Sequence, residues 1–219
     1  MTDMPQGAKN GVIHGVSSIL VPPPMIGRVL SLFPSEFSTL LLAYVKTDFV
    51  KFVHHVKMKG STVFAPSNIA FARLGPRVNA FLFNTETGLK YLNAILKYHI
   101  APNATLYSDA FYDERKHGKG GVPGDRETEH FDLETLLDDA HVGVDISTLA
   151  AFKTIRVNGF SYVTISDGIG KNGVIHVIDK VLIPPHKHKH GHDEGEQPEA
   201  IDGPMEVEEL IERLSGYVD

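Results

Sequence analysis

Cysteine and tryptophan are both absent from this 219-residue chain. Without cysteine there is no disulfide, no thiol nucleophile and no zinc site built on thiolates. The absence does not fix the compartment, because a domain with a sizeable core folds on either side of a membrane without covalent staples. No apolar run approaches the ~20 residues that a membrane-spanning helix needs. Met1 to Lys9 is polar and lacks the apolar core of a signal peptide. The expectation is either an intracellular protein or a piece of a longer one, and the internal repeat below favours the piece. An excess of basic residues is missing too: the net charge is −6. Residues 186–219 carry ten acidic and three basic residues, whereas residues 1–185 carry 17 and 18. The acidity belongs to the tail, and nothing resembles the basic stripe that nucleic-acid binding requires.

What is present starts with an internal repeat. Lys9-Asn-Gly-Val-Ile-His14 recurs unchanged as Lys171-Asn-Gly-Val-Ile-His176, and the similarity continues to Pro23 and Pro185. Nine of fifteen positions are identical at an offset of 162 residues. Each copy has the pattern of a tight Asn-Gly turn, a β-branched strand and a Pro-Pro stop. The composition changes abruptly after Pro185, so the second copy closes a domain. By symmetry, residues 1–23 are expected to be the terminal strand of an upstream repeat. As an orphan, Lys9 to Val21 should be disordered or pair with a neighbouring molecule, giving weak self-association. The alternative is that both copies belong to one sheet of a single domain. The expected organisation is then a complete repeat over 24–185, a His-rich polar linker over 186–204 and an acidic amphipathic helix over 205–219.

Within the repeat, helical periodicity comes first. Ile26 to Phe33 is a short helix, and a longer one runs from Glu36 toward Val53 and stops at Gly60. Thr62 to Ala65 is a short strand, and Pro66-Ser67-Asn68 turns into a short helix. Thr87 is positioned to cap a helix with Leu89, Leu92, Ile95 and Leu96 on its buried stripe. His117 to Gly124 is a loop by composition. The second half reads as strands around Val142 and Val144, Phe152 to Val157, and Tyr162 to Ile165. Asn158-Gly159 and Asp167-Gly168 sit where hairpin turns are expected. Helices segregated before strands give an α+β fold class. Val207, Leu210, Ile211, Leu214 and Val218 lie on one face of the C-terminal helix. A helix this short is ordered only if that stripe docks, on the same domain, on another repeat or on a partner.

Three segments together resemble one family. Thr62-Val-Phe-Ala-Pro-Ser-Asn-Ile-Ala-Phe71 is similar to the first signature motif of fasciclin (FAS1) domains, with Ser67 where threonine is usual. Leu92 to Ile100 resembles that family's central helix and Tyr-His pair. Asn172 to Pro185 resembles its domain-closing strand. The resemblance covers 24–185 and extends to fungal secreted members with tandem repeats, a His-rich stretch and a short acidic helix. It implies a wedge of β-strands flanked by α-helices and a non-enzymatic, cofactor-free module. The module would be extracellular or in the cell wall, and it would bind protein or glycan partners in adhesion. The alternative it implies is an accessory protein that helps a secreted oxidase couple aromatic polyketides in fungal secondary metabolism.

The chemistry-bearing residues divide as follows. There is no Gly-x-Ser-x-Gly elbow, phosphate loop or His-Glu-x-x-His helix. His54 and His55 are adjacent, so on a helix they point apart. Asp138, Asp139 and His141 form either an acid–base cluster or a solvated loop, and the loop is the commoner outcome. Tyr98 and His99 are candidate binding residues, because the resemblance associates this pair with adhesion in animal relatives. The competing reading buries them at the helix–strand junction with their polar atoms satisfied. His186, His188, His190 and His192 alternate, which puts four imidazoles on one face of an extended chain, a candidate metal site. The competing reading is a pH-responsive linker. Asn103-Ala-Thr105 is an N-glycosylation sequon.

Overall fold

The computed structural model of the chain describes residues 6–56, 58–108, 127–149, 152–185 and 205–218. A small hairpin, β1 (Gln6–Ala8) and β2 (Gly11–Ile13), comes first. It forms its own two-stranded sheet. Helices α1 (Ile26–Ser31), α2 (Pro34–Lys46) and α3 (Phe49–His55) follow. Strand β3 (Ser61–Pro66) leads into α4 (Asn68–Arg73), α5 (Pro76–Asn84) and α6 (Glu86–Tyr98). Strands β4 (Ile100–Pro102), β5 (Glu127–Glu134), β6 (His141–Leu149), β7 (Phe152–Val157), β8 (Ser161–Gly170) and β9 (Gly173–Ile178) complete the body. The chain ends on α7 (Val207–Leu214). Most helices precede the main strands, which is the expected α+β arrangement.

Strands β3 to β9 form one seven-stranded sheet in the order β4-β3-β9-β8-β7-β6-β5. Only β3 and β9 run parallel, and they occupy the middle of one half of the sheet. Both are buried at every position, and apart from Ser61, Thr62 and His176 their side chains are apolar. Leu40, Phe64, Phe71, Leu82, Leu92 and Ile95 are core side chains buried between this sheet and the helices.

Several local expectations shift. The long helix from Glu36 is broken in two, because Asp48 takes the left-handed conformation (φ 52°). There Tyr44 stacks on Phe49 with centroids 5.3 Å apart. The cap of α6 is Thr85, whose hydroxyl accepts from the Gly88 N–H at 2.9 Å; Thr87 lies inside the first turn. Helix α5 was hidden by its start at Gly75-Pro76, which reads as a loop. Strand β5 was hidden because its outward residues Thr128, His130, Asp132 and Glu134 are all polar. Asn158-Gly159 forms the expected β7–β8 turn, with φ of 50° and 73°. Asp167-Gly168 instead lies inside β8. Between Ile165↔Val177 and Gly168↔Ile175, β8 has one residue more than β9, a bulge centred on Asp167 (φ 60°).

Helix α7 docks on this same domain, against α5 and α6. Met205, Leu210 and Leu214 are buried in the core, with Val207, Ile211, Tyr217 and Val218 packed at its edge. The apolar stripe read from the sequence is therefore the contact, and the Tyr217 hydroxyl donates to the Pro185 carbonyl at 3.3 Å.

Candidate functional site: an interior polar network and an exterior groove

The signature segments are polar clamps set in an apolar core. Thr62 on β3 donates its hydroxyl to the Ala104 carbonyl and accepts from the Leu106 N–H, both at 2.9 Å. Ser67 caps α4 by accepting from the Ala70 N–H at 3.2 Å, which is why a hydroxyl residue is needed there. The Asn68 amide accepts from the Thr39 N–H and donates to the Ser35 carbonyl, tying α4 to α2. On β9, His176 is buried, 2.7 Å from the Leu106 carbonyl through Nε2. After it, the Asp179 carboxylate accepts from Arg73 at 2.6 Å and from the Tyr162 N–H at 2.8 Å.

Tyr98 and His99 both lie inside. Tyr98 has no exposed surface; its hydroxyl donates to the His141 carbonyl and accepts from Asn158 Nδ2, each at 2.9 Å. Burial pushes its phenol pKa up. Asn158 Oδ1 in turn accepts from the Gly143 N–H at 3.0 Å. Tyr98 thus joins the end of α6 to β6 and to the β7–β8 turn. Its partner Asn158 is marked in the sequence only as a turn residue. His99 accepts from the Leu182 N–H at Nε2 (2.9 Å), so Nδ1 carries the proton donated to the Ile95 carbonyl (2.7 Å). Burial lowers its pKa to about 4, against a partial opposing effect of the Ile95 bond.

His99 makes the fold sensitive to acid. Unfolded His99 takes a proton near pH 6.5, whereas folded His99 resists until about pH 4. The unfolded state therefore binds more protons in that window, so stability is full above pH 6.5 and falls as pH drops toward 4. The loss by pH 4 is about 3 kcal/mol, at about 1.36 kcal/mol for each tenfold difference in proton affinity between the two states. Burial lowers the pKa of His176 as well, which adds in the same direction. Urea unfolding at pH 7 and pH 4.5 measures this: His99→Gln should flatten the pH dependence. An unchanged slope would assign the acid sensitivity to other groups.

The remaining candidates are dispersed. Asn103 is exposed in a left-handed turn (φ 59°), and its amide oxygen accepts from the Lys59 N–H at 2.9 Å. His141 uses its backbone carbonyl on Tyr98. Of the neighbouring pair His54 and His55, His55 lies 2.6 Å from the Lys51 carbonyl through Nδ1. His186, His188, His190 and His192 fall outside the described residues. Among the described residues no group of three or more His, Asp or Glu side chains is placed to hold a metal ion.

On the exterior a shallow groove of about 580 Å³ is lined by residues of four segments. These are Lys46 to Asp48 at the C-terminal end of α2, the outer face of α6 from Leu89 to Lys97, Leu137 and Asp138 in the β5–β6 turn, and Tyr217 and Val218 after α7. Lys46 donates to the Phe83 carbonyl at 2.7 Å. The Lys97 ammonium sits 4.8 Å from the Phe52 ring centroid, a cation–π contact. Three lysines and two aspartates face the groove, leaving it net positive in a protein that is net negative.

Comparison with known proteins agrees with this architecture. Residues 35–184 match the family model described as "Fasciclin domain". The "Aurofusarin biosynthesis cluster protein S" of Gibberella zeae is 29% identical over 97% of this chain and 56% of its own length. Human "Periostin" is 29% identical over 82% of this chain and 18% of its own. The chain thus spans about half, or less, of these relatives. Among solved structures, a FAS1 domain pair from the insect cell adhesion molecule Fasciclin I overlaps with a TM-score of 0.53 at 20% identity. That match covers 81% of this chain and 57% of the other, and at this identity it supports the fold alone. With its signature segments acting as core clamps and two thirds of its length matched by the family model, the chain belongs to the fasciclin domain family.

Proposed function

We propose that this chain is a non-catalytic, extracellular or cell-wall binding module, which engages protein or glycan partners through its exterior. The observation that supports this reading is where its reactive side chains are spent. Tyr98, His99 and His176 are buried, and their polar atoms are committed to internal partners. A general base must instead reach substrate. The exterior groove offers a contact surface, and its excess of lysine suits an acidic glycan or an acidic peptide segment. A glycan on Asn103 would be compatible with this reading, because that side chain is exposed.

The test is retention of the chain on acidic polysaccharide and on isolated cell-wall material, with Lys90→Glu/Lys97→Glu as the variant. Retention should fall by about tenfold, equivalent to about 1.4 kcal/mol, with the melting temperature close to that of the parent. Equal retention would remove the groove from the reading.

The accessory role in secondary metabolism is favoured by one observation. The relative named for a biosynthesis cluster aligns over 97% of the chain. That role needs an aromatic ligand to bind. Equilibrium dialysis against hydroxynaphthalenes and naphthoic acids checks it, and absence of binding at millimolar ligand would dismiss it.

A further inference from the structure

Asparagine followed by glycine is a reactive pair as well as a turn. The backbone nitrogen of the glycine can reach the asparagine Cγ, and glycine has no Cβ to screen that nitrogen. The chain contains three such pairs, Asn10-Gly11, Asn158-Gly159 and Asn172-Gly173. The fold treats them differently.

Two of the asparagines are clamped. Asn158 is buried; its Oδ1 accepts from the Gly143 N–H at 3.0 Å, and its Nδ2 donates to the Tyr98 hydroxyl at 2.9 Å. Asn172 is half-buried, and its Oδ1 accepts from the Ile26 N–H at 2.9 Å. Its carbonyl accepts from the Ser61 hydroxyl at 3.1 Å, and Gly173 beside it is packed on the Ser61 backbone. Turning either amide toward the following nitrogen breaks these bonds in the interior, where they are not replaced by water.

The third is open. Asn10 is exposed in the β1–β2 turn, and its side-chain amide has no hydrogen-bond partner among the described residues. Gly11 is exposed too, and a Cβ placed on it would meet nothing within 4 Å. Local causes do not separate Asn10 from Asn172. The hexapeptides Lys9–His14 and Lys171–His176 are identical, and the pairing Ala8↔Gly11 reproduces Gly170↔Gly173. What differs is the set of tertiary bonds that holds one amide and not the other.

We propose that Asn10 is a site of spontaneous covalent modification, converting to aspartate and isoaspartate in the folded chain while Asn158 and Asn172 are preserved. The Gly11 nitrogen yields its proton to hydroxide and attacks Asn10 Cγ. The new N–Cγ bond closes a five-membered imide as the Cγ–Nδ2 bond breaks, and Nδ2 leaves as ammonia with a proton from water. Water then adds to one of the two imide carbonyls. Opening on one side gives aspartate, and opening on the other gives isoaspartate, in which the main chain runs through Cγ. In sum, one amide and one water become one carboxylate and one ammonium ion, with no oxidant and no cofactor. Each event adds a negative charge beside Lys9, so the modified chain separates from the parent on an anion exchanger.

The experiment incubates the full chain at pH 8 and 25 °C and digests samples with trypsin at pH 6. The three pairs fall on separate tryptic peptides, 10–28, 157–171 and 172–180. Mass spectrometry follows the mass gained when an amide becomes an acid, and an isoaspartyl methyltransferase labels the isoaspartate. Asn10 should react within about threefold of the rate in the free hexapeptide, whereas Asn158 and Asn172 should be slower by about a hundredfold, because they react only through local opening. In urea the rates at Asn10 and Asn172 should converge, since the surrounding hexapeptides are identical. Gly11→Ala should slow the reaction at Asn10 by about tenfold, by screening the attacking nitrogen. Equal rates at Asn10 and Asn172 in the folded chain overturn the proposal. A gap that persists in urea overturns it as well, by assigning the difference to something other than the fold. A rate at Asn10 unchanged by Gly11→Ala would overturn the imide route.

Discussion

Gly173→Ala is expected to remove roughly 3–5 kcal/mol of stability, the sum of backbone strain and overpacking. Gly173 opens β9 with φ 149°, and a Cβ there would lie 2.0 Å from the Ser61 carbonyl oxygen and 2.7 Å from the Ser61 nitrogen. Both are backbone atoms at the start of β3, so no side-chain rotation relieves the contact. The two parallel central strands would have to separate, which also disturbs the Ser61 hydroxyl bond to the Asn172 carbonyl (3.1 Å). The control is built into the repeat. Gly11 is the same residue in the same motif, yet a Cβ on it meets nothing within 4 Å. Gly11→Ala should therefore change stability by no more than about 0.5 kcal/mol, as surface substitutions do. Urea midpoints of the two variants measure the difference. Equal midpoints would mean that β3 and β9 are not packed as described.

The second large effect concerns α7. Leu210→Asp with Leu214→Asp places two carboxylates at positions with no exposed surface. Keeping them ionised in the core would exceed what the domain can bear, so the cheaper response is release of the helix. Nineteen residues separate Pro185 from Met205, enough chain for α7 to leave while the sheet stays folded. The loss is then capped at the docking free energy, about 2–4 kcal/mol from burial of two leucines and their neighbours. Detached, a helix of eight residues is not stable alone. Amide exchange should show full loss of protection over 207–214, partial loss on α5 and α6, and retained protection on β3 and β9. Unchanged exchange in both the tail and the body would show that the leucines carry no docking energy.

The candidate residues were legible unevenly. Tyr98 and His99 could be singled out, because Leu92 to Ile100 resembles the family's central helix and Tyr-His pair. Their partners could not. Asn158 is 60 residues from Tyr98, and the Leu182 N–H is 83 residues from His99. No local pattern encodes either pairing. Asp167-Gly168 illustrates the opposite error. The dipeptide has the chemistry of a turn, but β9 holds β8 on both sides of it, so the positive φ is absorbed as a bulge that aims the carboxylate at the Ser108 N–H, 2.7 Å away. The groove had no sequence signal at all, because its lysines come from two helices whose juxtaposition is tertiary.

The family, the α+β class, the stripe on α7 and the equivalence of the two repeat copies were all readable from the order of the amino acids. Those features are written in period, in short motifs and in self-similarity, each of which acts over a few residues and survives without knowledge of the fold. Which copy is buried, which glycine is indispensable and which surface α7 covers depended instead on how the core packs. The six residues Lys9–His14 and Lys171–His176 are identical, so nothing local distinguishes them. The difference arises because β3 and β8 enclose one copy and not the other. Burial is a property of neighbours, and neighbours far apart in the chain are set by packing the whole core.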